Sequence, residues 1–183
     1  DQYDIMRDYG KGAISSKNDT HSASRKFEKW LGGRGDGDPS PDLLSGEIKF
    51  FALTGKNILS KKNPVVNVGK IQPKGKKYKN FESSSCYKKM KNMSLTGYDE
   101  ETHKFLQSFV FKVDNPIWFE RVKEDYEFYL KNYNAALANN TRSSTSSRVS
   151  SKLKSPNGCL KIRSDSIMLS KEFYKEVSEY YDK

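Results

Sequence analysis

The chain has 183 residues, 34% of them hydrophobic, and a formal net charge of +10, so it suits one domain with a core and is too short to split comfortably into two. No apolar run approaches the roughly 20 residues that a bilayer-spanning helix needs, and Cys86 and Cys159 alone make neither a disulfide framework nor a zinc knuckle. The expectation is therefore a reduced, cytoplasmic protein without a membrane partner, whose excess positive charge is drawn to a polyanion, most commonly a phosphate backbone.

Residues 1–20 are polar and read as a loosely ordered lead-in to a single domain at 21–183. Ser22 or Ser24 can cap a short helix over 24–31, where Phe27, Trp30 and Leu31 share a face and Gly32-Gly33 ends it. Residues 32–41, GGRGDGDPSP, form a turn-rich loop. Residues 42–53, DLLSGEIKFFAL, read as a strand with its lead-in, and a second strand is predicted at 64–68 beyond a basic tip. Residues 69–80 are rich in Lys and Gly and read as a loop or hairpin, for which a solvated surface is the default and phosphate contact the rival.

A short helix is predicted over 82–93 and a strand over 105–113. Asn115-Pro116 then caps a long helix over 117–138, in which Phe119, Val122, Tyr126, Tyr129 and Leu130 trace a core-facing stripe. Residues 139–157 are Ser-rich and basic, a flexible loop or a DNA-wrapping arm. A strand at 159–163 and an amphipathic helix at 170–181 close the chain. This order of elements points to an α/β or α+β domain around a mixed central sheet flanked by helices. Trp30 and Trp118 are expected in the core, and His21 and His103 lack metal-ligand spacing with the cysteines.

The chemistry sits in PDLLSGEIKF at 41–50. Alternate residues of a strand share a face, so Glu47 and Lys49 point the same way, and Asp42 lies just upstream where its carboxylate can converge with Glu47. Two carboxylates bind a hard divalent cation such as Mg²⁺, and an adjacent ammonium stabilises charge on a phosphate under attack by water. Alone, D-x4-E-x-K is a weak signal that also fits a solvated strand edge.

FEKWLG at 27–32, followed by Asp42 and GEIK at 46–49, resembles the MutH family of methyl-directed repair endonucleases and the GATC-cutting restriction enzymes related to it. NFESSSCYKKMKNM at 80–93, VKEDYEFYLKNY at 122–133 and GCLKIR at 158–163 extend the resemblance in blocks over most of 20–180. It implies a restriction-endonuclease-like fold of PD-(D/E)XK type, with Asp42, Glu47 and Glu28 as metal ligands and Lys49 and Lys89 as catalytic lysines. Mg²⁺ would be the cofactor, with Mn²⁺ able to substitute. Arg163 would contact guanine in the major groove of double-stranded DNA, with Lys161, Ser164 and Lys171 beside it. The chain departs from the family in a gap from Asp42 to Glu47 two residues shorter, in Ser164-Asp165-Ser166 after Arg163, and in Met168 where the family has tyrosine.

The expected activity is sequence-specific hydrolysis of DNA at a GATC-like site, by a monomer or a homodimer. A repair nicking enzyme that needs an activating partner, a non-catalytic DNA-binding module on the same fold, and an RNA-binding protein are the alternatives.

Overall fold

The computed structural model describes residues 46–56, 59, 66–102, 104–139 and 149–181. The predicted helix at 24–31 lies outside the described residues, and with it Glu28 and Trp30, as do Asp42, His21 and His103.

Strand β1 (Glu47–Leu53) is buried along nearly its whole length, as expected of a strand covered on both faces. It pairs in parallel with β3 (Met93–Asp99), and β3 pairs antiparallel with β4 (Phe105–Phe111), which gives a mixed sheet in the order β1-β3-β4. A second, antiparallel sheet has the order β2 (Val66–Lys70), β6 (Ser166–Leu169), β5 (Leu160–Arg163). Helices α1 (Ser85–Met90), α2 (Phe119–Asn139) and α3 (Lys171–Tyr181) flank the sheets. The mixed α+β architecture expected from the sequence is therefore present and compatible with a restriction-endonuclease-like fold. Among the described residues no helix is long and apolar enough to cross a membrane.

Each sheet contains a middle strand that the pattern of the sequence does not announce. The single helix expected over 82–93 is a correction: α1 starts where the Ser84 hydroxyl accepts a hydrogen bond from the Tyr87 N–H and covers only Ser85–Met90. Beyond it, tertiary partners take the carbonyls that a longer helix would use. Val113 N–H donates to the Met90 carbonyl and Glu47 N–H to that of Asn92, and the chain continues as β3. In β3 the strand-averse Gly97 is required by packing, since a Cβ there would lie 2.1 Å from Leu53 Cδ1 of the neighbouring strand. The middle strand β6 is only four residues long and follows a two-residue turn, Ser164-Asp165, in which Ser164 adopts the left-handed φ of 60° without an Asn-Gly signature.

One core joins these pieces. Phe51 and Leu53 of β1, Val66 and Val68 of β2, Met93 and Leu95 of β3, and Leu160, Ile162, Ile167 and Leu169 of the second sheet pack with Val122, Tyr126 and Tyr129 of α2 and Phe173, Tyr174 and Val177 of α3. The tyrosines bury their rings and satisfy their hydroxyls: Tyr126 donates to the Ile71 carbonyl, Tyr129 to those of Leu153 and Leu160, and Tyr174 to Gln107 Oε1. The expected stripe of α2 thus packs inward, and Trp118 is buried with its indole N–H on the Lys112 carbonyl. Cys86 and Cys159 are both buried free thiols.

Asp125, fully buried within that stripe, organises the approach to β5. Its carboxylate accepts hydrogen bonds from the N–H groups of Asn157 at 2.8 Å, Cys159 at 2.7 Å and Leu160 at 3.2 Å, and from the Ser155 hydroxyl at 2.9 Å. Residues 155–160 are thereby threaded onto α2, although composition alone reads 139–157 as a polar loop. Asp125→Ala orphans three backbone donors together, so urea unfolding should show a loss of about 3–5 kcal/mol with an unchanged m-value.

Candidate active site

Glu47 begins β1 and is only 2% exposed. Gly46 before it has φ of 153° and lies against Asn92, whose carbonyl oxygen would be 1.9 Å from any added Cβ. This close approach lets Glu47 N–H donate to the Asn92 carbonyl at 3.0 Å and sets the register in which Glu47 faces Met93 and Lys49 faces Leu95. A glycine at 46 is therefore a geometric requirement of the pairing between β1 and β3.

Two ammonium groups converge on the Glu47 carboxylate. Lys49, two residues along the same strand face, places Nζ 2.7 Å from Oε1, and Lys89 of α1 places its Nζ 3.0 Å from the same oxygen. Burial opposes ionisation of Glu47 most strongly, but the charges and hydrogen bonds of Lys49 and Lys89 together outweigh it and hold the carboxyl below its ordinary value. The trio carries one net positive charge. The Lys89 side chain is 10% exposed and that of Lys49 21%, so Lys49 offers the more accessible cation.

The stem of Lys89 is enclosed from the second sheet. A Cβ on Gly69 of β2 would stand 3.8 Å from Lys89 Cδ and 3.9 Å from Cys86 Sγ, and Gly69 itself has φ of 112°. The register of β2 shifts between Asn67 and Gly69, where the Asn67 side chain accepts the Gly69 N–H at 2.7 Å. Cys86 donates to the Lys70 carbonyl, and burial pushes its thiol up to about 12, so it stays a neutral packing group beside the lysines.

Of the residues that the sequence points to, Glu47, Lys49 and Lys89 are brought together, although 42 positions separate Glu47 from Lys89. Asp42 and Glu28 lie outside the described residues, and among the described residues no three His, Cys, Asp or Glu side chains cluster to hold a metal ion. The one described carboxylate of the site is an ionised hard-oxygen donor, which fits Mg²⁺.

Of the expected DNA-contacting residues, Lys161 and Arg163 lie on β5 of the second sheet and Lys171 begins α3. Lys161, Arg163 and Lys171 line a hollow of about 240 Å³ together with Met168. Lys161 lies opposite Met168 and Asn67, and Arg163 opposite Ser166 and Lys70, in two rows across β5, β6 and β2. Ser164 stands apart from the hollow, in the turn, bridged to Val149. Sequence reasoning left Asn67 on the predicted second strand and counted Lys70 with the loop lysines; antiparallel register, which no local pattern encodes, puts both on the face of Arg163. Lys70 also pairs with Asp165 at 3.3 Å, so the acidic residue after Arg163 has a cation beside it.

No family model matches the chain. It is similar to the type II restriction enzyme Sau3AI of Staphylococcus aureus, with 27% identity over 128 residues, which is 63% of this chain and 26% of that enzyme. The matched region thus spans about a quarter of the enzyme's length. This similarity supports a relation to restriction endonucleases.

The lowered pKa of Glu47 has a consequence for stability. A carboxyl held down in the folded state stabilises the fold above its unfolded value, near 4.5, and that contribution is lost as pH falls through the folded value. Denaturant unfolding from pH 6 to pH 3 should show a steeper acid-side loss for the parent than for Glu47→Gln; parallel curves would contradict the ionised, doubly paired state.

Proposed function

We propose that the chain is a Mg²⁺-dependent DNA endonuclease of the MutH-like PD-(D/E)XK type, cutting at a sequence-specific, GATC-like site. The observation that carries the reading is the buried Glu47 carboxylate held between Lys49 and Lys89, in a chain similar to a type II restriction enzyme. Lys49 is 21% exposed while Glu47 is enclosed, so an ammonium stands at a partly open position beside an ionised carboxylate, which suits an anionic substrate.

In this reading Glu47, with Asp42 and Glu28, holds the metal ion, and Mn²⁺ can replace Mg²⁺. When bound, the ion supplies Lewis-acid stabilisation of phosphate charge and acidifies a water. Lys49, the more exposed ammonium, faces the scissile phosphate and stabilises the negative charge that grows on its oxygens as the water oxygen bonds to phosphorus. That water gives its proton to solvent, the P–O bond to the leaving sugar oxygen breaks, and the leaving oxygen takes a proton from solvent. Lys89 keeps Glu47 ionised and fixes its orientation from α1. Arg163 and Lys161, on the outer face of the second sheet, approach the major groove, where an arginine pairs best with guanine O6 and N7. Asn67 and Lys70 share that face. Cutting of both strands would then require a homodimer, or two encounters of a monomer with the same site.

The direct test is incubation of the purified chain with unmethylated plasmid, in Mg²⁺ and in EDTA, with the ends mapped by sequencing. Discrete cuts in Mg²⁺ alone are expected; intact plasmid in both, with a gel shift present, would move the reading to a binding module. Lys49→Ala should lower the single-turnover cleavage rate by about a hundredfold or more and leave DNA affinity within about twofold, because its contribution arises in the transition state. Arg163→Ala should cost about 1–3 kcal/mol of discrimination between cognate and altered sites. An unchanged site preference would remove Arg163 from the reading set.

A further inference from the structure

The chain between β2 and α1 returns to the core at both ends. The Ile71 carbonyl accepts the Tyr126 hydroxyl at 2.7 Å, and Ile71 N–H donates to the Asp165 carbonyl at 2.7 Å. Phe81 is fully buried, and its N–H donates to Glu127 Oε1 at 3.2 Å. Between these anchors, Pro73 to Lys76 closes a β-turn in which Lys76 N–H donates to the Pro73 carbonyl at 3.0 Å. Gly75, with φ of 79°, occupies the third position, where the type II turn demands it. The turn holds Lys74, Lys76 and Lys77 outward on a fixed backbone, all three exposed.

The charge on this part of the surface is one-sided. Residues 71–81 contain Lys74, Lys76, Lys77 and Lys79 and no acid, and the facing half of α2, residues 128–139, adds Lys131 and again no acid. Among the described residues none of these five lysines forms an ion pair. Lys74, Lys76 and Lys77 border two adjoining hollows of about 440 and 460 Å³ between the loop and α2, with Tyr78, Tyr133 and Leu137 in their walls. Tyr133 is packed against the core and so is not a free stacking platform, while the lysines on the rim are exposed. That chemistry fits phosphates rather than bases.

We infer that the loop at 71–81 and the C-terminal half of α2 form a second DNA contact, in which Lys74, Lys76 and Lys77 bind backbone phosphates of duplex DNA outside both the Glu47 cluster and the Arg163 sheet face. The inference rests on the reading of DNA as the substrate. Its role is to hold the duplex through charge, independently of sequence, while the other surfaces cut and discriminate. Each lysine that neutralises a phosphate releases counterion, so it steepens the dependence of affinity on salt by about 0.9 in log–log slope.

The test measures fluorescence anisotropy of a labelled 30-base-pair duplex in EDTA, from about 50 to 200 mM NaCl, for the parent, Lys74→Ala/Lys76→Ala/Lys77→Ala, and the matching triple Arg variant. The Ala variant should bind at least about tenfold more weakly near 0.15 M salt, with a slope shallower by about 2–3. Its single-turnover cleavage rate at saturating DNA, and its preference among sites, should match the parent. The Arg variant should keep the parent slope. A parent slope retained by the Ala variant, or lost by the Arg variant, would overturn the second contact while leaving the nuclease reading intact. A parent that neither binds nor cuts the duplex would overturn both.

Discussion

A charged carboxylate removed from water must be compensated within the fold, and Glu47 imposes that demand at the head of β1. Lys49 meets part of it locally, through strand alternation. Lys89 adds a second cation from α1, so the helix must dock where its fifth residue reaches the strand. The stem of Lys89 then needs cover, and the bulged β2 passes beside it at Gly69, whose φ of 112° favours glycine. The meeting of both sheets with α1 is in this sense arranged around one carboxylate oxygen.

The second buried acid, Asp125, is satisfied in the opposite manner. Its partners are backbone N–H groups and a hydroxyl, with no cation among the bonds that hold it. Such a site has fixed geometry and no mobile charge to offer, and it serves to start β5 in register. Glu47 is instead compensated by long side chains, one of them partly open to solvent. Both are buried acids, one held by backbone donors and the other by lysine side chains.

The positive charge of the chain is also distributed with some order. Acidic residues of α2 lie mainly in its first half, where Glu82–Lys123 and Arg121–Glu176 pairs tie neighbouring elements together. The second half of the helix faces the lysine-bearing turn without a carboxylate, and the outer face of the second sheet carries Lys161 and Arg163. Salt bridges join elements where they meet, whereas among the described residues Lys74, Lys76, Lys77, Lys161 and Arg163 form no ion pair. The proposed division between reading the bases and holding the backbone follows that distribution.

Much of this was legible before any fold was known. The β formers Ile48, Phe50 and Phe51 announced β1, alternation of residue type announced β4 and β5, the Asn115-Pro116 cap announced α2, and the shared face of Glu47 and Lys49 follows from strand geometry alone. The resemblance of the chain also singled out Lys89, and the structure sets it 3.0 Å from Glu47. Local pattern missed β3 and β6, the middle strand of each sheet, because short or glycine-containing segments take their stability from neighbours on both sides rather than from their own propensity. It likewise placed Asn67 and Lys70 apart from Arg163 and did not tie the loop residue Ser155 to α2, since cross-strand register and the hydrogen bonds of Asp125 join residues far apart in the chain. The sequence by itself determined which groups carry charge and which faces are apolar, because those depend on residue type and local periodicity; only the tertiary structure decided which charges meet, because that depends on how separate elements pack.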